Sequence, residues 1–184
     1  MDHDLSESES AFWQFSLRFY GQPGVPALCI ALQDDLGIDI NLVFYLIFLG
    51  INGRRVTAGE VRRINEDVRD WRERIVQPLR AVRRSLKSGV APVAPDTADR
   101  LRHAIQHYEL LAERLQQEAM ERQFPITSTG VPAPATGAIR ENMAAYFGAE
   151  GIRQAANLAD NPPEAAINRL ITLLMAVFPN AIKP

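Results

Sequence analysis

The sequence predicts an all-α protein, a helical bundle with a long antiparallel helical hairpin and C-terminal accessory helices. Apolar residues recur at intervals of three and four over long stretches, as they do in amphipathic helices. Capping residues precede several of these stretches, and glycine or proline follows them. With 184 residues, of which 47% are hydrophobic, the chain is long enough to bury a core in one main domain.

Three helices are predicted in residues 10–51. Ser10 is the expected N-cap of the first helix. Pro26 suits the first turn of the second helix, which should stop at Gly37. Asp39 is positioned to cap the third helix, which is apolar on every face. This third stretch is longer than most strands, which favours a buried central helix over a buried strand, and it is too short to span a membrane.

The first arm of a helical hairpin is predicted to begin at Thr57, which forms a T-x-x-E capping box with Glu60. Pro78 lacks a backbone N–H and clashes with the preceding turn, so we expect a kink or interruption near residues 74–78. The apolar residues of this arm are spaced like a heptad repeat. They are Val61, Ile64, Val68, Trp71, Ile75, Leu79, Val82 and Leu86.

The second arm follows a short linker at residues 88–95 and extends to residue 122. Asp96 or Asp99 is expected to cap its helix. Two long apolar seams joined by a short linker are typical of an antiparallel helical hairpin. We therefore expect the second seam to pack against the first. It consists of Leu101, Ile105, Tyr108, Ala112, Leu115 and Ala119.

Residues 1–122 are thus predicted to form the core domain. Residues 123–137 contain no charged residue and are rich in proline, threonine and glycine, which is typical of a linker. Residues 138–184 are expected to dock on the core or to mediate self-association. The last predicted helix carries an apolar stripe that must be buried somewhere. It consists of Ile167, Leu170, Ile171, Leu174, Val177 and Phe178.

Composition excludes several classes of protein. The single cysteine, Cys29, rules out a disulfide within the chain and favours a cytoplasmic location. The acidic N-terminus predicts no signal peptide. The net charge of −2 and the lack of a recognised binding module predict no nucleic-acid partner, and no membrane association is expected.

Several segments resemble a family of small uncharacterised proteobacterial proteins, a domain of unknown function. The segments are residues 12–17 (FWQFSL), 23–25 (PGV), 31–34 (ALQD) and 76–87 (VQPLRAVRRSLK). The resemblance covers residues 11–122. It implies a bacterial, cytoplasmic, helical protein, and it brings no established activity, cofactor or catalytic residue.

Charge is unevenly distributed along the chain. Residues 1–53 hold seven acidic residues and one basic residue, whereas residues 54–87 hold eleven basic and five acidic residues. The basic segment is predicted to contact an acidic surface on another cytoplasmic protein. The residues proposed for this contact are Arg72, Arg80, Arg83, Arg84 and Lys87.

The alternative for the basic segment is internal pairing or a solvated helix face. Asp34 and Asp35 lie in the last turn of the second helix, where carboxylates oppose the helix dipole. They would either contact a metal or a partner, or form ion pairs with arginines such as Arg62 or Arg63. The opposite charges of the two blocks favour the ion pairs.

Aromatic residues suggest a second function. Trp13, Tyr20 and Tyr45 could line a pocket for a small hydrophobic ligand between helices, although such residues more often form the core. His103 and His107 are spaced for metal binding, but their face is expected to be exposed and lacks the acidic residue of an H-E-x-x-H motif.

No catalytic residue, cofactor or metal ion is predicted. The function expected from the sequence is a non-catalytic protein–protein interaction module, with a second copy of the chain as a further candidate partner. The alternative is a carrier or enzyme that uses the aromatic pocket.

Overall fold

The structure, a computed structural model, describes residues 10–148, 168–169 and 171–172. About three quarters of the described residues are helical, and the only two strands among them have two residues each, which confirms the all-α fold class. The elements are α1 (Ala11–Tyr20), α2 (Val25–Leu36), α3 (Ile40–Ile51), β1 (Arg54–Arg55), α4 (Ala58–Trp71), a π-helical segment (Arg72–Val76), α5 (Gln77–Ser88), α6 (Asp99–Gln123), β2 (Val131–Pro132) and α7 (Ala135–Gly148).

The first helices begin and end at the predicted capping residues. Ser10 caps α1 with its side chain, and Asp39 accepts hydrogen bonds from the first amides of α3. Gly37 ends α2 with φ of 63°, a conformation that glycine adopts without a steric penalty. Thr57 and Glu60 form both hydrogen bonds of the capping box at the start of α4.

The centre of the core is α3, in which every residue from Ile40 to Gly50 is buried. The aromatic face of α1 packs against it, with Phe12 4.8 Å from Tyr45 and Phe19 5.2 Å from Phe44 between ring centroids. Aromatic pairs in tilted and edge-on arrangements stabilise a core beyond the effect of buried area. The predicted central helix is confirmed.

The core extends past the predicted linker. Phe124 is buried, and Arg54 donates hydrogen bonds to the carbonyl oxygens of Thr129 and Gly130 at 2.7 and 2.6 Å. β2 then pairs with β1 in antiparallel register. Residues 124–134 therefore fold against the core although their composition is typical of a linker, because other parts of the chain satisfy their backbone groups.

Beyond this loop, α7 packs along α3 and is tied to it by Asn142. The side chain of Asn142 is fully buried. Its amide donates to the carbonyl oxygens of Leu46 and Arg54 at 3.0 and 2.9 Å, and its oxygen accepts from the Val56 amide at 2.8 Å. Ile171 also lies in this core. The other residues of the last predicted stripe, Ile167, Leu170, Leu174, Val177 and Phe178, lie outside the described residues.

The interruption predicted near Pro78 is a π-helical segment, Arg72–Val76, which adds a residue to the turn. Pro78 itself lies in the first turn of α5, where its missing N–H is tolerated. The extra residue shifts the buried face, so that Val76 is buried and Ile75 is exposed. The seam predicted at Ile75 is therefore wrong by one residue.

The start of α6 also differs from the prediction of an aspartate cap. Ala98 is the N-cap residue, and Asp99 is the first residue of the helix. The carboxylate of Asp96 instead accepts a hydrogen bond from the Thr97 amide at 2.9 Å. Asp99 still places a negative charge in the first turn, which favours the helix dipole.

Close packing of α3 on α7 predicts that Gly50→Ala destabilises the protein. A Cβ atom at Gly50 would lie 2.7 Å from Cγ1 and 2.9 Å from the backbone of Ile139. Such overpacking costs about 1–3 kcal/mol in the free energy of unfolding, which denaturant titration measures.

Gly59→Ala is the matched control, because a Cβ at Gly59 makes only ordinary contacts. This substitution should leave stability unchanged or raise it by up to about 1 kcal/mol. Equal losses of stability for the two variants would show that α3 and α7 are not in close contact.

Candidate protein interface on the helical hairpin

The face of α6 that points towards the core is largely polar, and three of the six residues of the predicted apolar seam are exposed, whereas Ala112 is buried as predicted. The polar side chains that α6 buries are Glu109, Gln116 and Gln117. Leu101, Tyr108 and Leu115 are exposed. At about 100° per residue, the centres of these two sets lie about 120° apart around the helix. The prediction that these three apolar residues pack against the first arm is wrong.

Three ion pairs hold the polar face of α6 against α5. The Arg80 guanidinium donates to Glu109 at 3.0 Å and to Glu113 at 2.5 Å. Arg83 donates to both oxygens of Glu109, at 2.5 and 3.2 Å. The side chain of Glu109 is only 7% exposed. A carboxylate buried to this degree is stable in the fold only when it is paired, so these contacts determine how α6 is rotated.

Arg80 connects two carboxylates that would otherwise repel each other. Burial raises the pKa of the Glu113 carboxyl and the charge of Glu109 raises it further, while Arg80 opposes both effects. Burial lowers the pKa of Arg80, but Glu113 and Glu109 outweigh this effect and raise it. Arg80 therefore stays protonated and neutralises the interior of the hairpin.

Arg72 connects the π-helical segment with the start of α3. Its Nη1 donates to Asp39 and to Asn65, both at 2.8 Å. The same carboxylate oxygen of Asp39 accepts a hydrogen bond from Gln116 at 3.3 Å. Because Asp39 is the N-cap of α3, Arg72 positions the central helix against the hairpin.

The remaining two basic residues lie farther along α5. Arg84 forms an exposed ion pair with Asp34 at the end of α2. This is the kind of pairing that the sequence favours for Asp34, although the arginine is Arg84 and not Arg62 or Arg63. Lys87 is exposed, and the side chain of Asp35 lies outside the described residues. Four of the five basic residues predicted to bind a partner thus face carboxylates of their own chain.

The three aromatic residues predicted to line a pocket lie in different surroundings. Tyr45 is fully buried, and its hydroxyl donates to the carbonyl oxygen of Phe124. Trp13 is buried on α1. Tyr20 is 43% exposed and lies near the ion pairs, where burial, followed by the charges of Cys29 and Glu113, raises its pKa.

The two histidines lie on an exposed face, as the sequence suggests, whereas the cysteine is buried. His103 is exposed, with Nδ1 3.7 Å from Asp99, and His107 packs edge-on against Tyr108. In the part of the chain that the structure describes, no group of three or more His, Cys, Asp or Glu residues is placed to hold a metal ion. Cys29 is buried, and burial raises the pKa of its thiol to about 12, which leaves it unreactive.

Rotation of α6 exposes a set of large apolar side chains on one side of the hairpin. Trp71 lies across α6, where its Nε1 donates to the Ala112 carbonyl oxygen at 3.0 Å. Ile75 and Val82 continue the surface along the first arm at helical spacing. We call this set the apolar face of the hairpin. It consists of Trp71, Ile75, Val82, Leu101, Tyr108 and Leu115.

Periodicity alone locates this stripe on α6 but does not show which way it points. Glu109, Glu113 and Gln116 recur at intervals of four and three, so α6 carries two stripes with the period of a helix. The informative signal is charge, because Arg80 and Arg83 on the first arm complement Glu109 and Glu113 on the second. Matching charges between the arms would have predicted which stripe faces inward.

Comparison with known families supports the resemblance seen in the sequence. Residues 11–120 match the family described as Protein of unknown function (DUF2390). The chain belongs to this family. The matched DUF2390 region contains the ion pairs and the whole apolar face, whereas α7 lies beyond it. Neither the curated proteins nor the solved structures gave a match.

Among the described residues, every helix is too short or too polar to cross a bilayer.

Loss of the Arg80 ion pairs with Glu109 and Glu113 should lower the stability of the protein. Arg80→Met leaves Glu109 and Glu113 short of a partner in a poorly hydrated position, and we expect the free energy of unfolding to fall by about 3 kcal/mol. Arg55→Met is the matched control, because Arg55 and Glu141 form a pair that is about half exposed on both sides.

Exposed pairs contribute less than about 1 kcal/mol, so Arg55→Met should change stability little. Denaturant titration of both variants gives the comparison. Similar small losses for Arg80→Met and Arg55→Met would mean that the hairpin is not held by the Arg80 ion pairs.

Proposed function

We propose that this chain is a protein-interaction module that binds an amphipathic helix of another protein chain on the apolar face of the hairpin. The observation that carries the proposal is the exposure of six large apolar side chains, each between 38% and 57%, along two packed helices. Single exposed apolar residues are ordinary on protein surfaces, whereas a contiguous set is typical of an interaction site.

The dimensions of the apolar face suit a helical partner. Leu101 and Leu115 are separated by fourteen residues, or about 21 Å along α6. A facing helix of about four turns would cover this distance. Trp71 and Tyr108 are of the residue types that contribute most to binding energy when a partner covers them.

The basic segment is less suited to be the main contact. Arg72, Arg80 and Arg83 are largely buried in ion pairs, and an acidic partner would have to compete with carboxylates that are already in place. Breaking a buried ion pair costs more free energy than a new, exposed ion pair with the partner would contribute. Lys87 and the exposed pair of Arg84 can still attract an acidic partner to the end of the hairpin.

The ligand-carrier alternative stays a prediction. Tyr45 packs against Phe12 and Phe48, and its hydroxyl is satisfied within the chain. No specific observation among the described residues favours a ligand beside Trp13, Tyr20 or Tyr45.

Site-specific photo-crosslinking in cells that express the full chain tests the proposal. A benzophenone amino acid replaces Tyr108 in one variant and Ile30 in the other. Ile30 is a matched control, because it is 49% exposed but lies on α2. We expect a protein crosslinked to position 108 and not to position 30.

A further variant shows whether the crosslink depends on the apolar face. Leu101→Glu with Leu115→Glu should lower the yield at position 108 by at least tenfold, because each buried charge costs more than about 1.4 kcal/mol of binding free energy. Both sites are exposed, so the free energy of unfolding should change by no more than about 0.5 kcal/mol per site. Equal yields at positions 30 and 108 would refute the proposal. So would a yield at position 108 that stays the same when Leu101 and Leu115 are replaced by glutamate.

A further inference from the structure

We propose that the helix bound on the apolar face is α6 of a second copy of this chain, packed antiparallel across a two-fold axis at Tyr108. This inference rests on the proposed function, because it names the partner of the same surface. It follows from the arrangement of side chains on α6 and from the charges that flank them.

The exposed apolar residues of α6 are arranged symmetrically along the helix around Tyr108. Leu101 and Leu115 are each seven residues from Tyr108, the spacing of a coiled coil. In an antiparallel pair centred on Tyr108, Leu101 lies opposite the partner's Leu115, and Tyr108 lies opposite the partner's Tyr108. A surface that meets its own copy in this way is what a two-fold interface requires.

The neighbouring positions follow the same symmetry. Ile105 and Leu111 are each three residues from Tyr108 and are half-buried in the single chain. They lie about 60° to either side of the stripe, so each widens the apolar surface on its own flank. Ala104 falls opposite the partner's Ala112, over which the partner's Trp71 lies. The small side chain of Ala104 leaves room for that indole ring.

Charges beside the stripe are also complementary in this arrangement. Arg100 and Glu118 lie on the same side of the stripe, each about 80° from its centre. Glu118 pairs with Arg114 of its own chain at 2.8 Å, so Arg100 of the second chain would share this carboxylate with Arg114. In an antiparallel pair of helices, equivalent flanks face each other. Arg100 and the partner's Glu118 are then offset by only two residues, or about 3 Å along the axis, which long side chains can bridge. The two-fold axis forms this contact twice.

Cysteine crosslinking of the purified full chain tests the inference. In Tyr108→Cys the new thiol lies on the two-fold axis, and mild oxidation should join two chains. Ile30→Cys is the matched control. We expect about tenfold more disulfide-linked chain for Tyr108→Cys, because an interface holds the two thiols at a high effective concentration. Native Cys29 is buried, so it should not contribute.

A second pair of variants tests the direction of packing. Leu101→Cys and Leu115→Cys should each crosslink poorly alone and efficiently when the two proteins are mixed. Efficient crosslinking of each variant with itself would overturn the antiparallel arrangement. All these positions are exposed, so the variants should fold.

The outcomes separate this inference from the proposed function. If Tyr108→Cys forms no more disulfide than Ile30→Cys while position 108 photo-crosslinks to a different protein, the second copy is wrong and the interaction surface stands. If both experiments fail, because residues 149–184 of the same chain cover the hairpin or because nothing binds there, the interaction surface is wrong as well.

Discussion

The pairing of Glu109 with Arg80 and Arg83 is the constraint on which the arrangement of the hairpin depends. A carboxylate with 7% of its side chain exposed is stable there only next to positive charge. Because Arg80 and Arg83 lie on the first arm, α6 must turn Glu109 towards that arm. The same rotation brings Gln116 to the carboxylate of Asp39, so the polar contacts of the hairpin continue to the N-cap of the central helix.

Because α6 turns Glu109 towards Arg80 and Arg83, three apolar residues of its predicted seam are left exposed. A fully apolar contact between the arms would have buried Leu101, Tyr108 and Leu115, each worth about 1.5–3 kcal/mol when fully buried. The fold instead leaves these residues at the surface and uses ion pairs whose net contribution to stability is small. This arrangement, with ion pairs inside the hairpin and apolar residues outside, agrees with the proposed binding of a further helix, which would bury the exposed apolar residues.

Much of the fold could be predicted because its signals are local. Ser10, Asp39 and the Thr57–Glu60 capping box act within one turn of the chain, and the all-round apolar character of α3 indicates a central position. The face of α6 could not be chosen from periodicity, since it depends on arginines in the other arm. The packing of α7 on the core could not be predicted either, because the hydrogen-bond partners of Asn142 lie more than eighty positions earlier in the chain. For the same reason a well-bonded loop was predicted as a linker.

Hydroxyl-radical footprinting of the full chain, measured residue by residue, tests most directly whether the apolar face is a covered interface. Tyr108 and Tyr20 serve as an internal comparison, since they are the same residue type. In the single chain Tyr108 is 57% exposed and Tyr20 is 43% exposed, so an uncovered hairpin reacts faster at Tyr108. A covered interface predicts the reverse order, with Tyr108 and Trp71 protected and Tyr20 reactive. Modification of Tyr108 at least as fast as Tyr20 would contradict the interface.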